Sequence, residues 1–142
     1  MVANNNKNNS SESVTDLERL NLRISGMCIT DEYELLSSGE QTEVSYYNVF
    51  YGGEQDRKVL KKRTVCDTSA VIDTLNKFNF IEWNGFYGKH PEGVLDGRMF
   101  NLTATINGGK GLYASGSENF PENFYEFEQW LYETLKDCEE IG

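Results

Sequence analysis

The residues of this chain that could do chemistry are few and scattered. A Ser/His/Asp or Cys/His site needs an imidazole base, and His90 is the only histidine. It stands beside Lys89 in a stretch with Gly and Pro. A surface histidine is the plainer account of it. Asp and Glu number 23, but no spacing among them selects a pair for general acid–base work. Gly108-Gly109-Lys110-Gly111 is Gly-rich, yet it lacks the Ser/Thr after the lysine and the helix start of a phosphate-binding loop. A hairpin turn explains it better. Gly116-Ser117 leads toward the last helix, whose N-terminus could take an anion, but Glu118 and Glu122 already stand at that end. Cys28, Cys66 and Cys138 are widely spaced, without CxxC or a neighbouring histidine. They read as buried free thiols of a reducing compartment, and structural zinc would need four clustered ligands. No catalytic residue, metal site or cofactor is expected.

Aromatic residues supply the remaining lead. Trp83, Phe86 and Tyr87 fall in an irregular stretch, and Tyr46, Tyr47 and Tyr51 share one strand. Loops carry function disproportionately, and Trp and Tyr are preferred at binding hot spots. Such rings could seat a peptide or stack a sugar; they could also plug a small aromatic core. Asp96-Gly97 makes a turn into the next strand, while Asp96 and Arg98 together could clamp a ligand. Arg57, Lys58, Lys61, Lys62 and Arg63 concentrate base on one strand, and Glu118, Glu122, Glu126, Glu128, Glu133, Asp137, Glu139 and Glu140 concentrate acid around the last helix. That is either a charged docking surface or a lysine-protected edge strand beside a solvated helix face. The leading expectation is a small non-catalytic binding or adaptor domain that meets a protein or peptide through Trp83, Phe86 and Tyr87. The alternative is a small-molecule or carbohydrate-binding domain, a vestigial enzyme among its forms, using Trp83, Asp96 and Arg98. An acidic mimic of nucleic acid comes third, since the basic run at 57–63 works against it.

The elements that must position these residues follow from periodicity. Leu22, Ile24, Gly26 and Cys28 alternate with Arg23, Ser25 and Met27, a half-buried strand. Tyr33–Leu36 is a short strand, and Val44–Tyr51 is rich in the β-branched and aromatic residues that suit a sheet. Arg57–Cys66 returns with charge and apolar residues on both faces, as an edge strand or a solvent-facing one does. Asp67-Thr68 offers an N-cap to a helix whose Val71, Ile72, Leu75 and Phe78 form one stripe. The segment 83–93 holds three glycines and a proline and is expected to be irregular. Phe100, Leu102, Ala104 and Ile106 face inward on a strand, Asn107-Gly108 turns it, and Leu112 and Ala114 return. Pro121 starts a final helix with Phe124, Phe127, Leu131, Leu135 and Cys138 on one face. The sum is an α+β fold: an antiparallel sheet of about five to six strands built from hairpins, with helices at about 68–79 and 121–138 packed on one face.

Composition bounds the rest. The 142 residues suit one domain, and 13% aromatic residues offset a hydrophobic fraction of 38% by burying large rings. Residues 1–16 are expected to be a disordered polar arm, and 17–142 a single domain. A net charge of −10 speaks against non-specific nucleic-acid binding and anionic lipid, and no apolar run reaches membrane-spanning length. Cytoplasmic location is expected, with an exported or lipid-anchored protein the alternative if a leader was trimmed ahead of Met1.

Trp83-x-Gly85, Leu95-Asp96-Gly97, Phe100-x-Leu102, Tyr113-Ala114-x-Gly116-Ser117, Pro121, Phe127 and Leu131 make a pattern that resembles a group of small bacterial domains of no established activity. The resemblance covers less than half the chain. It implies a fold and no function, because most of these residues are Gly, Trp, Pro or apolar.

Overall fold

A computed structural model of the chain describes residues 12–26, 29–52, 54–95 and 97–141. Seven strands form one sheet: β1 (Leu17–Ser25), β2 (Thr30–Ser38), β3 (Gln41–Phe50), β4 (Arg57–Asp67), β5 (Tyr87–Gly88), β6 (Met99–Ile106) and β7 (Lys110–Ser117). Among the described residues the sheet is joined by two helices, α1 (Thr68–Lys77) and α2 (Phe124–Leu135), and a 3-10 turn at Phe80–Trp83. The order across the sheet is β4-β3-β2-β1-β6-β7-β5, antiparallel throughout except for β5 against β7.

The expected α+β class is the one found, with three corrections. The strands number seven, because Tyr87 and Gly88 pair with Ser115 and Gly116 inside a stretch expected to be irregular. β2 is nine residues long, because Thr30, Asp31, Glu32, Ser37 and Ser38 all pair with β3, although Asp and Glu are poor strand formers. Both helices are shorter than expected. α1 stops at Lys77 and is followed by Asn79 at φ 56°. α2 begins only after Asn123 at φ 71°, a left-handed conformation that asparagine tolerates and a helix interior does not. Asp67 holds the N-cap of α1 without a capping side-chain bond. The helix start is tied down instead by Thr68, whose N–H donates to the Glu40 carbonyl (2.8 Å) and whose hydroxyl meets that of Thr42 (2.9 Å).

Register sorts the side chains. Leu20, Leu22 and Ile24 of β1 stand beside Ala104, Leu102 and Phe100 of β6, and Leu20 stands beside Leu35 of β2. This face forms one buried cluster with Val71 and Leu75 of α1 and with Phe124, Phe127, Leu131 and Leu135 of α2. Both helices therefore cover the same face, as the apolar stripes imply. β4 is an edge, in keeping with its mixed faces.

Of the expected arm, residues 1–11 lie outside the described residues, as does Cys28. Its last residues are packed. The Val14 N–H donates to Asn76 Oδ1 (2.8 Å), Asn76 Nδ2 donates to the Val14 carbonyl (2.9 Å), and Val14 is buried. Asn107 Oδ1 accepts from the Thr15 and Asp16 N–H groups (2.7 and 3.1 Å). The packed domain thus begins before Leu17. Hydrophilicity hid this boundary, because its anchors are asparagine side chains distant in sequence, Asn76 of α1 and Asn107 of the β6–β7 turn.

Candidate functional site

The residues singled out from the sequence separate in space. Trp83 is not at the surface: it is 2% exposed, packs against Phe80, Phe124 and Phe127 (ring centroids 5.2, 5.8 and 5.7 Å), and its Nε1–H donates to the Glu122 carbonyl (2.9 Å). The 3-10 turn after Asn79 swings the indole into the core instead of outward. Phe86 is half-buried and stacks on Phe100 at 6.2 Å. Tyr87 is 77% exposed. Asp96 lies outside the described residues. Arg98 turns to α2, where its guanidinium meets the Glu128 carboxylate and lies over the Phe120 ring (5.7 Å). Trp83, Arg98 and Tyr87 therefore do not line one cleft.

Tyr87 belongs to a different assembly, the sheet face that the helices leave bare. Following the registers, Tyr87, Ser115, Asn101, Arg23, Glu32 and Tyr47 make one row across six strands. The next row reads Tyr113, Thr103, Asn21, Glu34, Ser45 and Arg63. The two halves of this face differ. Over β2 and β3 its own side chains close it: Glu32 is buried, with Arg23 Nε and Nη2 on Oε1 (3.0 and 2.7 Å), and Lys58 Nζ and Asn21 Nδ2 on Oε2 (2.6 and 3.0 Å). Burial alone would raise the Glu32 carboxyl pKa. The bonds from Lys58, Asn21 and Arg23 outweigh it and hold the group below its ordinary value.

Over β5, β7 and β6 the face is open. Tyr113 is 67% exposed. A hollow of about 280 Å³ lies between it and Phe86, floored by Asn101, Thr103 and Ser115. A second, of about 240 Å³, lies between Tyr87, His90 and Met99 and shares Asn101 and Ser115 with the first. Met99 also borders a third, of about 500 Å³, reaching Ile29, Phe50 and Tyr51. Two facing glycines, Gly88 and Gly116, let the Asn119 backbone cross close to this end of the sheet. The crossing brings Phe120 onto Phe100 (5.5 Å) and steadies β5.

His90 Nδ1 lies 2.7 Å from Ser117 Oγ, and Nε2 lies 2.5 Å from the Val94 carbonyl. This is a hydroxyl–imidazole pair with an orienting acceptor, an arrangement shared with serine nucleophiles. The amide after Ser117 is nonetheless committed to structure, since the Glu118 N–H donates to the Arg98 carbonyl (2.8 Å). That position commonly supplies an oxyanion donor. The pair is accounted for by pinning the 89–94 loop to β7. Cys66 is no activated nucleophile either: burial, then the Asp67 carboxylate and Cys138, push its thiol up. Among the described residues no three His, Cys, Asp or Glu side chains are grouped to hold a metal, and no helix is long and apolar enough to cross a membrane.

Tyr113 was missed at sequence level because it reads as an ordinary outward strand residue. Its signal was the alternation that put Leu112 and Ala114 inward. Compared with protein-family models, curated proteins and solved structures, the chain matches none.

Proposed function

We propose that this chain is a non-catalytic binding domain that takes a protein or peptide on the open end of its bare sheet face. The observation that carries this reading is the pair of exposed rings, Tyr87 and Tyr113, standing over a polar floor of Asn101, Thr103 and Ser115. Tyrosine offers a large amphipathic contact area at low entropy cost. Strand-borne rings are also held in place before a partner arrives, which lowers the cost of ordering the interface. Amide and hydroxyl groups between the rings suit the peptide backbone and uncharged side chains.

A second reading has its own observation in the same place. Planar rings flanking amides and hydroxyls also suit a sugar, which stacks on a ring and hydrogen-bonds at its rim. Selection from a displayed peptide library and a screen of immobilised glycans, each run with wild type and with Tyr87→Ala and Tyr113→Ala, separate the two. The expected result is a family of related peptides whose retention falls about tenfold or more in either variant, as for hot-spot rings. Glycans alone, lost in the same variants, would replace the protein-binding reading with the sugar one. Retention indifferent to both substitutions would remove the surface from consideration.

A further inference from the structure

The other face of the molecule holds a second feature, independent of the site above. On α2, Tyr125, Glu128, Gln129 and Tyr132 fall at i, i+3, i+4 and i+7, a stripe beside the buried one. Tyr125 and Tyr132 are each 57% exposed. Tyr33 of β2 faces this stripe, and the five side chains line a hollow of about 320 Å³. Tyr33 and Tyr132 also border an adjoining hollow of about 150 Å³, completed by Tyr46, Lys62, Leu135 and Lys136. The two are one groove, in the size range of small-molecule sites (~300–1,000 Å³).

The two ends of the groove differ in chemistry. Three tyrosine rings and the Glu128 carboxylate surround the first hollow. Asp31 lies nearby, holding the Tyr46 hydroxyl at 2.7 Å, and Tyr33 stacks on Tyr46 at 5.1 Å. Burial, then the Asp31 carboxylate, pushes the Tyr33 hydroxyl up; burial, then its bond to Asp31, takes Tyr46 up to about 12. Both phenols therefore stay neutral at working pH, with electron-rich ring faces. Arg98 already occupies Glu128, so the rings would be the main attraction for a cation. A quaternary ammonium donates no hydrogen bond and is weakly hydrated, so it gains more from ring faces than a primary ammonium does. At the second hollow the Lys62 ammonium rests on a neutral acceptor, the Lys136 carbonyl (3.3 Å). Lys136 pairs with Glu133 on the exposed helix end (2.7 Å). An anionic group there would meet Lys62 first.

We infer that this groove binds a small soluble zwitterion, its quaternary ammonium among Tyr33, Tyr125 and Tyr132 and its carboxylate or phosphate at Lys62 and Lys136. The chain's net charge of −10 draws cations toward it. At ~0.15 M salt the screening length is about 8 Å, so Lys62 can still hold the anionic end against charge farther off than that; of the nearer carboxylates, Glu133 is paired with Lys136 and Asp31 accepts from the Tyr46 hydroxyl.

The test is calorimetric titration at that ionic strength with phosphocholine, choline, phosphoethanolamine and inorganic phosphate. Phosphocholine is expected to bind saturably. Choline should bind about two- to fivefold more weakly, the loss of one exposed ion pair, and phosphoethanolamine and phosphate more weakly still. Tyr132→Ala should weaken phosphocholine and choline alike by about five- to thirtyfold. Lys62→Met should bring phosphocholine down to the level of choline and leave choline unchanged, and Tyr87→Ala should change nothing. Tyr125→Ala repeats the ring test if Tyr132→Ala lowers the melting temperature. The assignment is overturned by no saturable phosphocholine binding at millimolar concentration, by indifference to the ring substitutions, or by phosphate alone binding as well as phosphocholine. Sedimentation with phosphatidylcholine vesicles, without binding of soluble phosphocholine, would overturn it in favour of a lipid headgroup.

Discussion

Replacing Glu32 by glutamine tests the physics that closes half of the bare sheet face. Both carboxylate oxygens accept two donors each: Arg23 contributes twice to Oε1, and Lys58 and Asn21 meet at Oε2. An amide keeps one acceptor and turns its NH₂ toward a pair of donors, whichever way it is set. Removing one partner of a fully buried ion pair costs about 3–5 kcal/mol. Here Glu32 is 2% exposed but Arg23 and Lys58 are 33% and 36% exposed, so both cations can turn to water and the cost falls. We expect Glu32→Gln to lose about 1.5–3 kcal/mol at pH 7, with Tm lower by about 5–10 °C. The pH dependence has a definite sign. Because the folded carboxyl is held below its ordinary value, its contribution is fully present above the unfolded pKa of about 4.3. It is lost as pH falls through the lower, folded value. Urea unfolding of wild type and variant at pH 7 and pH 3.5, followed by fluorescence, measures both effects. The gap between them should shrink at the lower pH. A gap of the same size at both pH values, or a loss under ~0.5 kcal/mol at pH 7, would refute the clamp as a source of stability.

Two further outcomes follow from packing. Trp83→Ala should destabilise by about 3–5 kcal/mol, because it empties the centre of the Phe80–Phe124–Phe127 cluster and strands the Glu122 carbonyl. Urea midpoints check it, and a loss below ~1 kcal/mol would mean the indole is not in the core. Gly116→Ala should cost about 1–3 kcal/mol as an overpacked site, since an added methyl would collide with the Asn119 carbonyl and the Phe100 ring. Thermal melts check this, with Gly108→Ala as a comparison that meets no neighbour but carries a left-handed backbone strain (φ 78°).

Much of the architecture was legible because it depends on local alternation. Phe100-x-Leu102-x-Ala104-x-Ile106 declares its inward face, and Asn107-Gly108 declares its turn through φ of 51° and 78°. The stripe from Phe124 to Leu135 declares α2. What escaped were features held by remote partners. The β5 pairing depends on facing glycines that admit the Asn119 backbone. The packing of Val14 depends on the Asn76 amide, 62 residues away. Neither leaves a periodic trace.

The candidate sites divide along the same line. Sequence alone determined that Tyr87 is an exposed-type ring in a glycine-rich stretch and that Phe124, Phe127, Leu131 and Leu135 share a helix face, because helical spacing is a property of the chain by itself. Tertiary structure decided the rest: that Trp83 turns inward, that Arg98 lies on the helix side against Glu128, and that Tyr113 stands near Tyr87 through strand register. It also set Tyr33 opposite the α2 stripe. Periodicity tells which side of an element a residue is on; only the packing of elements tells what that side meets.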